Sequence, residues 1–199
     1  MSIETEISAL KYKVNKILEE KKYVFYMNTG SLTGDLTVGG NIIGWGNKIV
    51  RPYGSFYDTT TQTASATPNT ALAMKLNTTD IAIGVSIVSG SRIQFNYDGI
   101  YNIEFSAQFD KTDAGTDDVE VWLSYTGSNV PWSNTQISLV GNNAKAVAAW
   151  NWFVSASAGE YCEIMWYSAD TNLRILSQGT QSAPVRPEIP SVIVTVTQV

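Results

Sequence analysis

Between Arg92 and Phe109 the chain reads RIQFNYDGIYNIEFSAQF, and Tyr101, Ile103, Phe105, Ala107 and Phe109 recur at every second position. Successive side chains of a β-strand point to opposite faces, so this alternation predicts a long strand with one buried face. Asp98-Gly99 predicts the turn before it, because Gly readily takes the positive φ that tight hairpins require. Phe95 then closes the preceding strand, and the stretch reads as strand, turn, long strand.

The same texture extends from about Tyr53 to the C-terminus. Strands are expected near Gly54–Tyr57, Ala71–Leu76, Gly84–Val88, Arg92–Tyr97, Ile100–Phe109, Val119–Tyr125, Gln136–Leu139, Lys145–Val154, Glu160–Tyr167, Leu173–Leu176 and Ser191–Gln198. Short strands at this density, separated by Gly, Asn, Ser and Thr turns, predict an all-β sandwich or jelly roll over 53–199. Cys162 alternates with apolar neighbours in EYCEIMW and reads as a small buried or half-buried strand residue; being the only Cys it forms no intrachain disulfide.

Two other textures precede this domain. In residues 1–22, Ile3, Ile7, Leu10, Val14 and Ile17 are spaced four, three, four and three, a heptad seam flanked by Glu and Lys. So narrow a seam asks for identical partners, and β-branched residues at both core positions favour three or more strands. The spacing therefore predicts a trimeric coiled coil; a helix packed on its own domain is the alternative. Residues 23–52 contain NTGSLTGDLTVGGNIIGWGNKIV, in which Leu32, Leu36, Val38 and Ile42 stand between glycines. Each piece offers an apolar face too small to stand alone, which three intertwined copies would bury; a flexible Gly-rich linker is the other reading.

Resemblances sharpen these expectations. LTGDLTVGGNI resembles the intertwined β shafts of bacteriophage fibres. Phe95, Gly99, Tyr101, Ile103 and Phe105 form F-x-x-x-G-x-Y-x-I-x-F, which is similar to the centre of the tumour-necrosis-factor-like and complement-globular-head jelly rolls. VEVWLSYTGSNVP, AGEYCEIMWY and SVIVTVTQV follow in the order of that fold's later strands. GSFYDTTTQT, LNTTDIAIGVSI and NYDGIYNIEFSAQ resemble virion structural proteins of tailed phages. These resemblances imply a jelly-roll head on a trimeric shaft and coil, made in the cytoplasm of a bacterial host and carried on the virion. They also imply that both ends of the head's chain lie at one end of the sandwich, with the loops at the other end free to recognise a surface.

The residues narrow the chemistry. With no His and one Cys, the chain lacks zinc constellations, the Ser-His-Asp triad and Cys-His nucleophiles. No phosphate-cradling glycine motif appears, so no enzyme activity and no organic cofactor is expected. A net charge of −5 without a basic cluster argues against nucleic acid. No run approaches the ~20 apolar residues of a membrane span, and the charged N-terminus is unlike a signal peptide. The loop DKTDAGTDD places Asp110, Asp113, Asp117 and Asp118 close together, a set of oxygen ligands that calcium would accept, or else a solvated hairpin loop. In NVPWSNTQ, Trp132 between Asn129 and Asn134 offers an indole for stacking a sugar or anchoring a protein, unless it folds back on the core. Trp150 and Trp152 share one strand face and read as core or trimer-interface packing.

Four functions suit these parts: a phage fibre or spike that attaches to a host glycan or protein, a capsid decoration protein, a virion-borne depolymerase, or a non-viral trimeric binding module. In the first two the N-terminal coil meets other virion proteins.

Overall fold

The structure, a computed structural model, describes residues 3–8, 11, 51–67 and 69–199. The chain divides into two units, Met1–Lys48 and Ile49–Val199. In the first, residues 3–8 and 11 are helical, with Ile3 and Ile7 exposed. Leu10, Val14 and Ile17 of the expected seam, and nearly all of the expected shaft, lie outside the described residues.

The second unit is all-β and consists of two main antiparallel sheets. The first runs Thr78–Ile83, Tyr53–Asp58, Val192–Gln198, Gly99–Lys111, Lys145–Ala156. Leu173–Ile175 also pairs with Gly99–Lys111, and carries Gln62–Thr63 on its other side. The second sheet runs Thr135–Val140, Thr116–Tyr125, Tyr161–Tyr167, Arg92–Phe95, Val85–Val88. The chain crosses repeatedly between sheets, and its first strand pairs with its last in the middle of the first sheet. That strand order is a jelly-roll sandwich.

The alternating stretch behaves as its period requires. Tyr101, Ile103, Phe105, Ala107 and Phe109 are all buried, and they meet Val119, Val121, Leu123, Ile164 and Trp166 from the facing sheet. Phe95 and Tyr101 pack with ring centroids 4.5 Å apart, and Phe109 and Trp166 at 5.7 Å. The Tyr101 hydroxyl satisfies itself by donating to the Tyr97 carbonyl at 2.8 Å. Cys162 is buried, and burial pushes its thiol well above the usual range.

Gly99 is present for a different reason from the one its turn suggested. Its φ is not in the left-handed region. Instead a Cβ there would collide with Gln198 Nε2, whose amide donates to the Asp98 carbonyl at 2.9 Å. The glycine makes room for the end of the last strand.

Several elements escaped the periodic reading, the two-residue strands Gln62–Thr63 and Ser128–Asn129 among them. Thr78–Ile83 is an edge strand with no fully buried residue, so it shows no apolar alternation. Its register against Tyr53–Asp58 shifts at Ser55/Phe56, leaving Asp80 unpaired in a bulge. The small hairpin Gln181–Ser182/Val185–Arg186 is exposed throughout and turns through a cis Ala183-Pro184 bond.

Registered rows fix the two ends of the sandwich. Ile83, Tyr53, Thr197, Asn102 and Phe153 stand side by side at the end where the chain enters. Lys145, Asp110 and Arg174 stand side by side at the opposite end. The outer face of the first sheet leaves Ile81, Ile83, Ile100, Val147, Phe153 and Ile193 exposed. On the strands of the second sheet, Val140 is the one large apolar residue exposed among the described residues.

Candidate functional site

The loop after Ser128–Asn129 is pinned on three sides. Val130 N–H donates to the Leu123 carbonyl at 2.9 Å. The Ser133 hydroxyl donates to the Val130 carbonyl at 2.8 Å and accepts Leu123 N–H at 3.0 Å. The Trp152 indole donates to the Ser133 carbonyl at 3.3 Å. Within this fixed frame Trp132 is fully exposed, at a φ of +64°. A bulky residue in the left-handed region is strained by about 1–3 kcal/mol, and such strain persists where the surroundings over-determine it. Trp132 does not fold back on the core.

Beside it opens a cleft of about 360 Å³, lined among others by Leu123, Tyr125, Trp152, Phe153 and Ser155. None of its lining residues is charged. Phe153 is also exposed, so two aromatic surfaces border one concavity. The Tyr125 hydroxyl is already committed: it donates to the Glu160 carboxylate and accepts Ser157 N–H at 3.2 Å. Burial and that carboxylate both push the phenol up, and the phenol holds Glu160 below the ordinary range. What remains open is an uncharged aromatic cleft suited to the C–H face of a sugar ring or to an apolar protein side chain.

Asn129 and Asn134, read with Trp132 as a recognition set, do not line this cleft. Asn129 accepts the Trp122 indole N–H at 2.8 Å, and Asn134 donates to Glu120 at 2.5 Å. They tie the loop to the Thr116–Tyr125 strand. Trp152 and Phe153 take their place. Trp152 stacks on Phe105 at 5.1 Å while its rim reaches the cleft, and alternation from inward-facing Trp152 turns Phe153 outward. Trp150 packs edge-on against Phe105 at 4.8 Å, as its strand face suggested. The Trp132 loop lies near Phe153, hence at the chain-entry end of the sandwich, not among the loops of the far end.

The acidic loop does lie at the far end, but its four carboxylates separate. Asp110, almost wholly buried, takes Lys145 on one oxygen and Arg174 on the other, the latter at 2.6 Å. Burial pushes the Asp110 carboxyl up, yet these two cations outweigh it and hold it below the usual range. Asp118 accepts from the Ser138 hydroxyl at 2.5 Å. Asp113 and Asp117 converge instead with Asp170, which is distant in sequence, their ligand atoms within 4.8 Å of one another. Lys111, fully buried, bonds Asp117 and lies 3.7 Å from Asp113. Asp117 holds its ammonium above the ordinary lysine range, against the opposing effect of burial. The expected four carboxylates are thus not one site: Asp113 and Asp117 join Asp170 instead, with the Lys111 ammonium against Asp117.

No family model matches the chain, and no curated protein matches it. Among solved structures it is similar to the globular domain of the zebrafish complement 1qA protein, with 11% identity and a TM-score of 0.43 over 75% of this chain and 98% of that one.

Proposed function

We propose that the chain is a non-enzymatic structural protein of a bacteriophage virion, a trimeric fibre or spike head that attaches the particle to its host surface. The observation that carries the recognition role is Trp132, held rigid, strained and fully exposed beside an uncharged aromatic cleft. Exposed indoles with a neighbouring pocket are characteristic anchors of recognition surfaces. Three copies acting together raise a weak single contact by about 10²–10⁴ in avidity.

Two observations support the trimer. Ile3 and Ile7 are helical and exposed, free to meet identical partners. On the outer face of the first sheet, the registered rows from Ile83 to Phe153, from Ile81 to Asn151 and from Tyr57 to Ala149 contain one charged residue, Glu104. A face with that little charge and that much exposed apolar surface suits a protein partner. The N-terminal segment then joins the other virion proteins.

One observation favours a second reading, a capsid decoration protein without receptor specificity. The Trp132 cleft sits at the chain-entry end, where a neighbouring virion subunit is as natural a ligand as a host glycan. The deciding experiment measures binding of the full chain and of Trp132→Ala to host cells and purified host polysaccharide, beside adsorption of particles lacking the protein. Attachment predicts wild-type binding, weakened by the substitution, and defective adsorption. No binding together with normal adsorption overturns attachment and leaves decoration.

A further inference from the structure

At the end of the sandwich opposite the chain entry, beyond the rows of the apolar face, lies a second cavity of about 220 Å³. Its walls divide by chemistry. Val147, Leu176 and Ile189 give it an apolar side. Gln108, Gln178 and Lys145 give it a polar one. The Gln108 and Gln178 side-chain amides make no hydrogen bond within the described chain, although the Gln178 backbone is fixed by two bonds to Ile189, at 2.9 and 2.8 Å. Each amide therefore offers two donors and an acceptor in fixed surroundings.

Charge at the cavity is also asymmetric. Asp110, 3% exposed, lines the cavity with Lys145 and is shared on its other oxygen by Arg174, which stands outside the lining; the three side chains together carry one positive charge. Lys145 is 58% exposed and spends one of its three N–H donors on Asp110, leaving two for a ligand. Glu188, beside Ile189 in sequence, is not among the lining residues.

We propose that this cavity binds a sugar ring bearing a carboxylate, a uronic acid unit of an acidic polysaccharide. The carboxylate pairs with the free side of the Lys145 ammonium, the hydroxyls exchange hydrogen bonds with Gln108 and Gln178, and the C–H face lies against Val147, Leu176 and Ile189. An excess cation selects the acid, and two unpaired amides select a polyhydroxylated ligand over a bare anion. The proposal is independent of the Trp132 cleft, and Trp132→Ala leaves it unchanged.

The test titrates the full chain with glucuronate, glucose, acetate and inorganic phosphate, followed by calorimetry and by saturation-transfer NMR. Glucuronate is expected to bind in preference to the other three. Lys145→Met should weaken it about tenfold and erase the preference over glucose, the loss expected of one charge-assisted hydrogen bond. Because Lys145 also serves Asp110, a second variant keeps the charges intact: Val147→Trp, at an exposed strand position, should block the cavity and abolish binding with an unchanged circular dichroism spectrum. Equal binding of glucose, equal binding of phosphate or acetate, no glucuronate binding to the wild type, or full binding by Val147→Trp each overturns the proposal.

Discussion

Single residues divide into those the fold needs and those it tolerates. Tyr101 and Phe105 fill the space between the sheets. Replacing either by Ala should cost about 3–5 kcal/mol in chemical denaturation, the price of an emptied aromatic site in a packed core. Trp132 is the opposite case. Since its side chain packs on nothing and its backbone is left-handed, Trp132→Gly should raise stability by about 1 kcal/mol while removing any binding in the cleft. Asp110 gives the sandwich an acid limit. Its carboxyl is held below its unfolded value of ~3.9, so its contribution is complete above that pH and is lost as pH falls through the folded value. Urea denaturation as a function of pH should show Asp110→Asn with a lower plateau at neutral pH and a flatter decline in acid. Lys111 runs the other way: its raised value keeps its contribution below pH ~10 and loses it as pH rises through the folded value.

At the scale of elements, what was legible followed burial. Gly99–Lys111, Thr116–Tyr125, Tyr161–Tyr167 and Val192–Gln198 each bury alternate residues, so their apolar period was visible in the chain. Thr78–Ile83 buries none of its residues fully and carried no such signal. The site divided in the same way. Trp132 stood out as an isolated indole in a polar loop, whereas the cleft beside it depends on Trp152 and Phe153 of the other sheet, tied to the loop by the Trp152 indole on the Ser133 carbonyl. The acidic loop misled because proximity in sequence is not convergence in space: Asp110 and Lys111 alternate across the sheet and recruit different partners, Asp170 among them. The junction of Gly99 with the last strand is testable as an element. Gly99→Ala should displace Gln198 and cost about 1 kcal/mol, roughly one net hydrogen bond, and the cost should largely vanish in a Gln198→Ala background.

At the scale of the whole molecule, the two outer faces of the sandwich are unlike. The trimer proposal predicts light scattering of the full chain at three times its monomer mass at micromolar concentration. Ile81→Asp with Ile193→Asp, both at exposed positions, should weaken that assembly while leaving the far-ultraviolet spectrum of a β-protein. A monomer mass for the wild type would remove the trimer from the proposal.

The pairing of Tyr53 with Thr197 also imposes an order on synthesis. The earliest strand of the sandwich has one of its two neighbours supplied by Val192–Gln198, so until that strand is made one edge of Tyr53–Asp58 and one edge of Gly99–Lys111 wait unpaired. Closing so long a loop is slow. A product cut short before Ser191 has no strand to insert and is left with two open edges, a target for proteolysis. Until Val192–Gln198 is in place, the first sheet stays open between Tyr53–Asp58 and Gly99–Lys111.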